Sequence, residues 1–455
     1  MFYAVASHTP ALEHEKSSSP LRHTQQSECN CWSHIQQFFQ MTSKPCGSLQ
    51  HSQRVSDVDR KRSIEILIRL GVAGLVIYAL VARSGDLRAN LSKRDSIAYW
   101  AAGQLLLQHL NPYDASSVLE LERGQGYKES KPLVLRTPPW SLFMVLPLGV
   151  LDAFWAWVLW MSVCFVALVV AMRLCWRIYG NSPSPQTVFW LVGYSFAPVP
   201  ACLVAGQMGI LLLLGLVLFL WLEPDRPFLS GAALLLPFAK PHLLSLFWLA
   251  LIFWIVTQKR RAIVGGLIAA FLVTMVVSLA FDPAIFQDYR EMLYQASIGH
   301  EFIPALSGVV RLIFFRRMFW VQFIPMALGL VWCVWFCLVN RSNWDWRDHG
   351  LAVMVVSVLT TPYDWLTDEV VLLPAVLQAA MWICSAKQRI GLTTRLVIMI
   401  FACVNGLLLL ILAAKVPFAT GIYFWSSLVW FLWYVYARRF RATGKVSSEA
   451  RSAVS

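Results

Sequence analysis

The sequence predicts an all-α polytopic membrane protein, a bundle of about 10–13 transmembrane or half-spanning helices with a large first extracytoplasmic loop. Three observations predict it. Only 14% of the residues are charged and 58% are hydrophobic, where a soluble chain carries about a quarter charged. Runs such as Ala262–Phe281 and Leu396–Ala414 approach the ~20 apolar residues that cross ~30 Å of hydrocarbon. Tryptophan numbers 21, much of it near segment ends, where indoles sit at membrane–water interfaces.

The net charge of +13 fits cytoplasmic Lys and Arg clusters and needs no nucleic-acid partner. Cys175, Cys202, Cys333, Cys337, Cys384 and Cys403 lie in or beside apolar runs and act as small hydrophobes. Cys29 and Cys31 form a "CNC" with no matching second pair, so metal binding there is not expected.

Taken in order, residues 1–60 are polar, rich in Ser, Gln and His, and read as a disordered cytoplasmic tail. Residues 61–440 form the membrane domain, and 441–455 a second cytoplasmic tail. "DRKRS" (Asp59–Ser63) stays inside, so Ile64–Ala82 leads out to a long loop, Arg83–Pro139. Pro138–Leu151 holds three prolines and reads as a half-span. Ala153–Met172 runs in to "RLCWR", Gln186–Ala205 out to Gly206–Gln207, and Met208–Leu222 in to "EPDR". Phe228–Thr257, broken by Pro237, Lys240 and Pro241, reads as two short helices meeting at "KPH" on the outer side. Ala262–Phe281 then leads to the polar loop Asp282–Pro304, and a half-span with Phe319–Val339 returns to "NRSNWDWRDH". Gly350–Leu359 reaches "TTPYDW", Val370–Ser385 comes back, and two further spans end at "RRFR" inside. The trace keeps most basic clusters on one side, Arg316–Arg317 excepted. It gathers Asp95, Gln207, Lys240–His242 and Thr361–Trp365 on the other.

That second group holds the candidate chemistry. With a helix starting near Ser92 and stopping at "NPY", Asp95, Tyr99, Ala102 and Gly103 share a face at i, i+4, i+7 and i+8. A carboxylate there suits a general base. On local sequence alone, an ordinary helix-start charge or an ion pair with Arg94 or Lys93 is the plainer reading. Lys240 sits between two prolines in an apolar run, which marks a functional cation unless it snorkels to the interface. It suits a phosphate, with His242 as a further donor. Gln207 could hydrogen-bond a sugar hydroxyl, or simply turn the chain. Tyr363, Asp364 and Trp365 offer aromatic faces and a carboxylate for a sugar, or interface anchors. Arg136, Arg311, Arg290, His300 and Glu301 are weaker anion or sugar contacts. No P-loop, G-x-G-x-x-G, H-E-x-x-H or G-x-S-x-G occurs, so a membrane-soluble activated donor is expected. No ligand spacing demands a metal.

"RDSIAYWAAGQLLLQHLNPYD" resembles the opening of glycosyltransferase family 87, in the GT-C superfamily: D-F-x-x-Y-x-x-A-G-x-x-L-x-x-G-x-x-P-Y. "TPPWSLFMVLPLGVL", "GQMGILLLL", "AKPHLL" and "TTPYDWLTDEVVLLPA" resemble its later segments in order, between about Ile64 and Arg439. The resemblance implies an inverting, mannosyltransferase-like enzyme. It would move a mannose, or another hexose or pentose, from a polyprenyl-phosphate carrier to a glycan or glycolipid. No further cofactor is implied. The active site would face the extracytoplasmic side of the inner membrane. Asp95 matches the expected base, Lys240 the K-P position and Gln207 the G-Q position. The chain departs from the pattern at Ser96, Gly209 and Thr137, and where the family has a histidine after S-P-x-x-W it has Thr367 and Asp368 nearby. These departures bear on donor sugar and acceptor. The rival readings are a transporter or flippase of lipid-linked glycans, which internal repeats would favour and none is seen, and an inactive relative.

Overall fold

The computed structural model describes residues 94–180, 186–296, 303–386, 391–417 and 421–441. The polar tail, the span expected at Ile64–Ala82, Lys93, His300, Glu301 and nearly all of the C-terminal tail lie outside them. The described residues are helical and contain no strand.

Asp95 precedes α1 (Ser96–Leu107), which starts later and stops earlier than the sequence pattern implied. The stop has a local cause: His109 takes a left-handed φ of 57°, and the Asn111 side chain accepts from Tyr113 N at 2.8 Å. The loop then builds α2 (Ala115–Gly124), whose first turn is capped by Asp114 accepting from Ser117 N at 2.8 Å. Pro138–Leu151 forms two consecutive 3₁₀ helices, Pro139–Met144 and Leu146–Val150, because its prolines break any longer α-helical ladder. They lie along α1 with Gly103 against Gly149. A Cβ on Gly149 would stand 2.3 Å from the Gly103 carbonyl, so the two backbones meet only because both residues lack one. Gln104 Nε2 donates to Gly149 O at 2.7 Å, and Trp100 Nε1 to Leu151 O at 3.0 Å.

α3 (Ala153–Tyr179) is opened by Asp152, which accepts from Phe154 N and Trp155 N, and runs on through "RLCWR" for 27 residues. α4 (Gln186–Ser195) and α5 (Pro198–Ala205) meet at a 43° bend just before Pro198. After α6 (Gly209–Leu222) comes α7 (Pro227–Ala233). Two 3₁₀ turns follow, Pro237–Ala239 and Pro241–Leu244, with Lys240 in non-helical backbone between them. The chain continues as α8 (Ser245–Gln258), α9 (Arg261–Phe281), α10 (Ile285–Gln295), α11 (Leu306–Phe314) and α12 (Ile324–Asn340). α13 (Leu351–Thr360), α14 (Leu373–Ser385), α15 (Leu392–Ala413) and α16 (Ser426–Ala437) complete it. The two short helices expected within Phe228–Thr257 are thus present, and the break falls at Lys240.

Among the described residues six helical stretches are long and apolar enough to cross a membrane, seven if α4 and α5 form one bent span. The shorter apolar helices include α1 and α6. α14 with its leading turn is the most enclosed span and α15 the least. The large apolar side chains on the outside of α9, α12 and α15 are what a lipid-facing surface requires, since only helices that satisfy their own backbone can line it.

The bundle has two chemically distinct ends. At one, Arg441 pairs with Asp348, Arg260 approaches Glu223 at 3.8 Å, and Arg347 Nε donates to Leu220 O at 3.3 Å. Arg177 rests on the Trp221 ring at 5.7 Å there, and Arg438 on Phe336 at 5.9 Å. Of the clusters that the sequence trace kept on one side, those at Arg177, Arg260, Arg347 and Arg438–Arg441 come together among the described residues. Along α3, Trp160 touches Gly206 O and Tyr179 touches Arg347 O. The 19 residue steps from one to the other put the basic end ~28 Å from the end that carries Gln207.

Candidate active site

Four segments far apart in sequence meet at the end opposite the basic one. Asp95 N donates to Ala205 O at 2.9 Å, and Arg94 Nη1 to Val204 O at 3.2 Å, which clips the start of α1 onto the end of α5. Arg94 also covers the Trp157 ring at 5.1 Å, so its charge is turned away from Asp95. Asp95 stands at the N-cap position of α1, but its side chain makes no cap bond to the helix.

Gln207 receives the carboxylate instead. Gly206 takes a φ of +72°, and a Cβ on it would lie 2.9 Å from the Ser96 side chain, so the turn needs glycine twice over. That turn presents the Gln207 amide: Nε2 donates to Asp95 Oδ2. Its Oε1 accepts from Tyr99 Oη at 3.0 Å and from Lys240 Nζ at 3.4 Å. Two donors on one oxygen fix which way the amide points. The shared face of Asp95 and Tyr99 read from the sequence therefore converges on a third residue. Trp160 braces it, donating through Nε1 to Gly206 O at 2.8 Å and meeting the Tyr99 ring edge-on at 5.0 Å.

Lys240 has a second, closer partner that the sequence reading missed as a site residue. Its Nζ lies 2.6 Å from Asp368 Oδ1, with side-chain exposures of 13% and 1%. The signal available was an acid at the head of an apolar run, since a membrane-buried cation and a buried acid each need a counter-charge. Asp95, Gln207 and Lys240 are half-buried and keep an open edge, while Asp368 closes the back.

Residues 361–368 wrap this cluster. Thr361 Oγ1 donates to His242 O at 3.1 Å and Ser307 Oγ to Thr361 O at 2.8 Å. Tyr363 meets the exposed His242 ring edge-on at 5.5 Å and the Trp365 ring at 6.2 Å. The charge of Arg136, itself exposed, reaches Tyr363. Asp364 is 3% exposed, and its Oδ1 has no hydrogen-bond partner. Next to Asp368, Glu369 accepts from Ser426 Oγ at 2.5 Å and Trp430 Nε1 at 2.8 Å, which ties the segment to α16. Arg311 is buried against Phe319. Of the expected site residues, the structure thus brings together Asp95, Tyr99, Gln207 and Lys240, with His242, Tyr363 and Trp365 as an aromatic flank.

Two carboxyls outside the spanning stretches have displaced titration. Burial pushes Asp95 above the usual carboxylate range, opposed by the Gln207 hydrogen bond and the charge of Lys240. Burial, with Glu369 and Asp368 close by, pushes Asp364 well above it. Both shifts favour the protonated carboxyl, and that on Asp364 is the larger.

Fold and site together define a polytopic membrane protein with a carboxylate and an ammonium held by one amide at one end of the bundle. The profile of glycosyltransferase family 87 matches residues 137–362, and the chain belongs to that family: it is a membrane glycosyltransferase. The matched stretch includes Gln207 and Lys240; Asp95 and Asp368 lie outside it and are joined to it by the bonds above. No curated protein and no solved structure gives a match.

Proposed function

We propose that the protein transfers a sugar from a polyprenyl-phosphate carrier to a hydroxyl of a glycan or glycolipid acceptor, with inversion at the anomeric carbon. The observation that carries this reading is the single amide, Gln207, that touches both Asp95 and Lys240. It sets a base and a cation at the two ends of a displacement. The acceptor oxygen bonds to the anomeric carbon, and its proton passes to Asp95. The bond from that carbon to the phosphate oxygen breaks on the opposite face, and the phosphate leaves with the electron pair. Lys240 meets the charge that develops on it. His242, Tyr363 and Trp365 provide rings for the sugar, and Arg136 a further cation at the rim.

The clustering of Lys and Arg at the far end supports an extracytoplasmic site, because such clusters stay in the cytoplasm. A site on that side draws on a lipid-borne donor. The same argument favours cytoplasmic termini, and the inner membrane is the setting we propose.

The test is sugar transfer from synthetic polyprenyl-phosphate donors by purified protein, wild type against Asp95→Asn. Asparagine keeps an oxygen for Gln207 Nε2 but cannot accept the proton, so the turnover rate should fall by about 10²–10⁴-fold while the fold is retained. Undiminished transfer by the variant would remove Asp95 as the base. Passage of lipid-linked glycan across vesicles, with no transfer from any donor, would replace the enzyme reading with a transporter.

A further inference from the structure

A second feature runs along the bundle toward its basic end, outside the acid–amide–lysine cluster. A cavity of about 320 Å³ opens between α12, α13 and α16. Its wall includes Trp332, Val356, Leu359, Phe431 and Val435, and its one charged residue is Arg438. The volume lies at the lower end of the range for small-molecule sites, roughly 300–1,000 Å³.

The lining has a direction. Ala352, Val355, Val356 and Leu359 follow one face of α13, and Phe431, Tyr434, Val435 and Arg438 one face of α16. Each set covers seven residue steps, so the groove runs ~10 Å along the helices. α13 leaves the basic end at its start and reaches Thr361, beside His242, at its finish. α16 runs the other way, from Ser426 beside Glu369 to Arg438. Leu359 and Phe431 therefore mark the site end of the groove, and Ala352 and Arg438 its basic end.

Arg438 is uncommitted for an anion. It makes no salt bridge among the described residues and rests on the Phe336 ring. Its neighbour Arg441 is already paired with Asp348. The hydroxyl of Tyr434, the other polar group in the wall, is turned to Asp348 O and Gln378.

We propose that this groove binds an anionic phospholipid from the leaflet at the basic end, with an acyl chain along the apolar wall and the phosphate against Arg438. Charge complementarity chooses the occupant. An apolar trough that ends in a free guanidinium at the membrane surface matches a chain capped by an anion. The prenyl chain of a sugar donor is the less suitable occupant: its phosphate belongs at Lys240, which would leave only hydrocarbon beside Arg438. The inference rests on the membrane-spanning fold; only the exclusion of the donor's prenyl chain rests on the sugar-transfer reading.

The test uses the purified, delipidated full chain in detergent and titrates dioleoyl phosphatidylglycerol or phosphatidylcholine, read by native mass spectrometry. Wild type should hold phosphatidylglycerol roughly fivefold more tightly, the ratio expected for one basic contact near the surface. Arg438→Gln should bring the two lipids level, and Arg438→Lys should keep the preference. Val356→Trp, which fills the groove, should weaken both lipids while the thermal midpoint without lipid stays near wild type. Equal binding of the two lipids by wild type would overturn the proposal, as would a preference that survives Arg438→Gln. Inorganic phosphate in detergent should give no thermal shift; a shift as large as that of phosphatidylglycerol would mean the acyl groove plays no part.

Discussion

Replacing Asp368 by asparagine tests the electrostatics of the site most directly. The Lys240–Asp368 pair spans 2.6 Å, and its side chains are 13% and 1% exposed, so water screens it little. Removing one partner of a buried pair costs about 3–5 kcal/mol, because the remaining charge is left in a poor solvent. Asparagine still offers an oxygen to Lys240 Nζ, which places the loss near the lower bound, about 3 kcal/mol. Lys240 then keeps only that neutral oxygen and Gln207 Oε1 at 3.4 Å. Removing both charges is different. Lys240→Met with Asp368→Leu should come within about 1–2 kcal/mol of wild type, since well-packed apolar replacements of a buried pair are often neutral. The two single substitutions, Lys240→Met and Asp368→Leu, should sum to far more than the double one costs. The measurement is unfolding in mixed dodecyl sulfate micelles followed by tryptophan fluorescence. Transfer activity, measured in parallel, should stay lost in the double variant although its stability returns, because the cation for the phosphate is gone. Additive losses, or single losses below about 1 kcal/mol, would refute the claim that the pair is buried and coupled.

Gly149→Ala should destabilise the protein by about 1–3 kcal/mol, because its methyl would enter the Gly103 backbone; Gly124→Ala, where nothing lies within 4 Å, should be neutral or slightly stabilising in the same unfolding assay. The acid limb of the pH–rate profile should lie above the ordinary carboxylate value, because burial raises Asp95 and only its ionised form accepts a proton. Gln207→Leu should move that limb further up, since the Gln207 bond favours the ionised carboxylate; an unmoved or lowered limb would contradict the assignment. Glu122 is 0% exposed, accepts from Leu133 N, and is pushed up by burial to about 7. Its protonated form is therefore favoured by folding, so its contribution is full below the ordinary value near 4.3 and fades as pH rises through about 7. Glu122→Gln should accordingly flatten the pH dependence of hydrogen exchange in residues 127–135 between pH ~5 and ~8.

Much of this organisation was legible in the sequence because it rests on local rules. Apolar run length gives the spans, and proline gives the break at Lys240 and the 3₁₀ path of Pro139–Val150. Helical spacing puts Asp95 and Tyr99 on one face, and both reach Gln207. Charge bias sorts the two ends. What it did not disclose is pairing between segments. Asp368 is 128 residues from Lys240 and entered the reading only as a departure from a motif. Trp160, within a long apolar helix, carries no sign that its indole will hold Gly206 O. Such contacts depend on how helices pack, and periodicity along one helix cannot specify the face of another.

The direction of the Gln207 amide links the two halves of the site. Its oxygen already accepts from Tyr99 and Lys240, so a flip would set its NH₂ against two donors and its oxygen against a carboxylate. The amide is thus held in one orientation by partners on both sides, at no cost in net charge. Lys240 faces Asp368 behind and Gln207 beside it, which leaves its ammonium balanced before any phosphate arrives. A phosphate that draws Lys240 forward weakens the 3.4 Å contact to Gln207 Oε1 and leaves Tyr99 as that oxygen's donor. The amide still points its N–H at Asp95, and the proposed base stays aimed while the cation moves. Loss of Tyr99 Oη would remove that safeguard. Tyr99→Phe should therefore lower the turnover rate more than the apparent affinity for donor, whereas a donor-affinity loss alone would place Tyr99 among the sugar contacts instead.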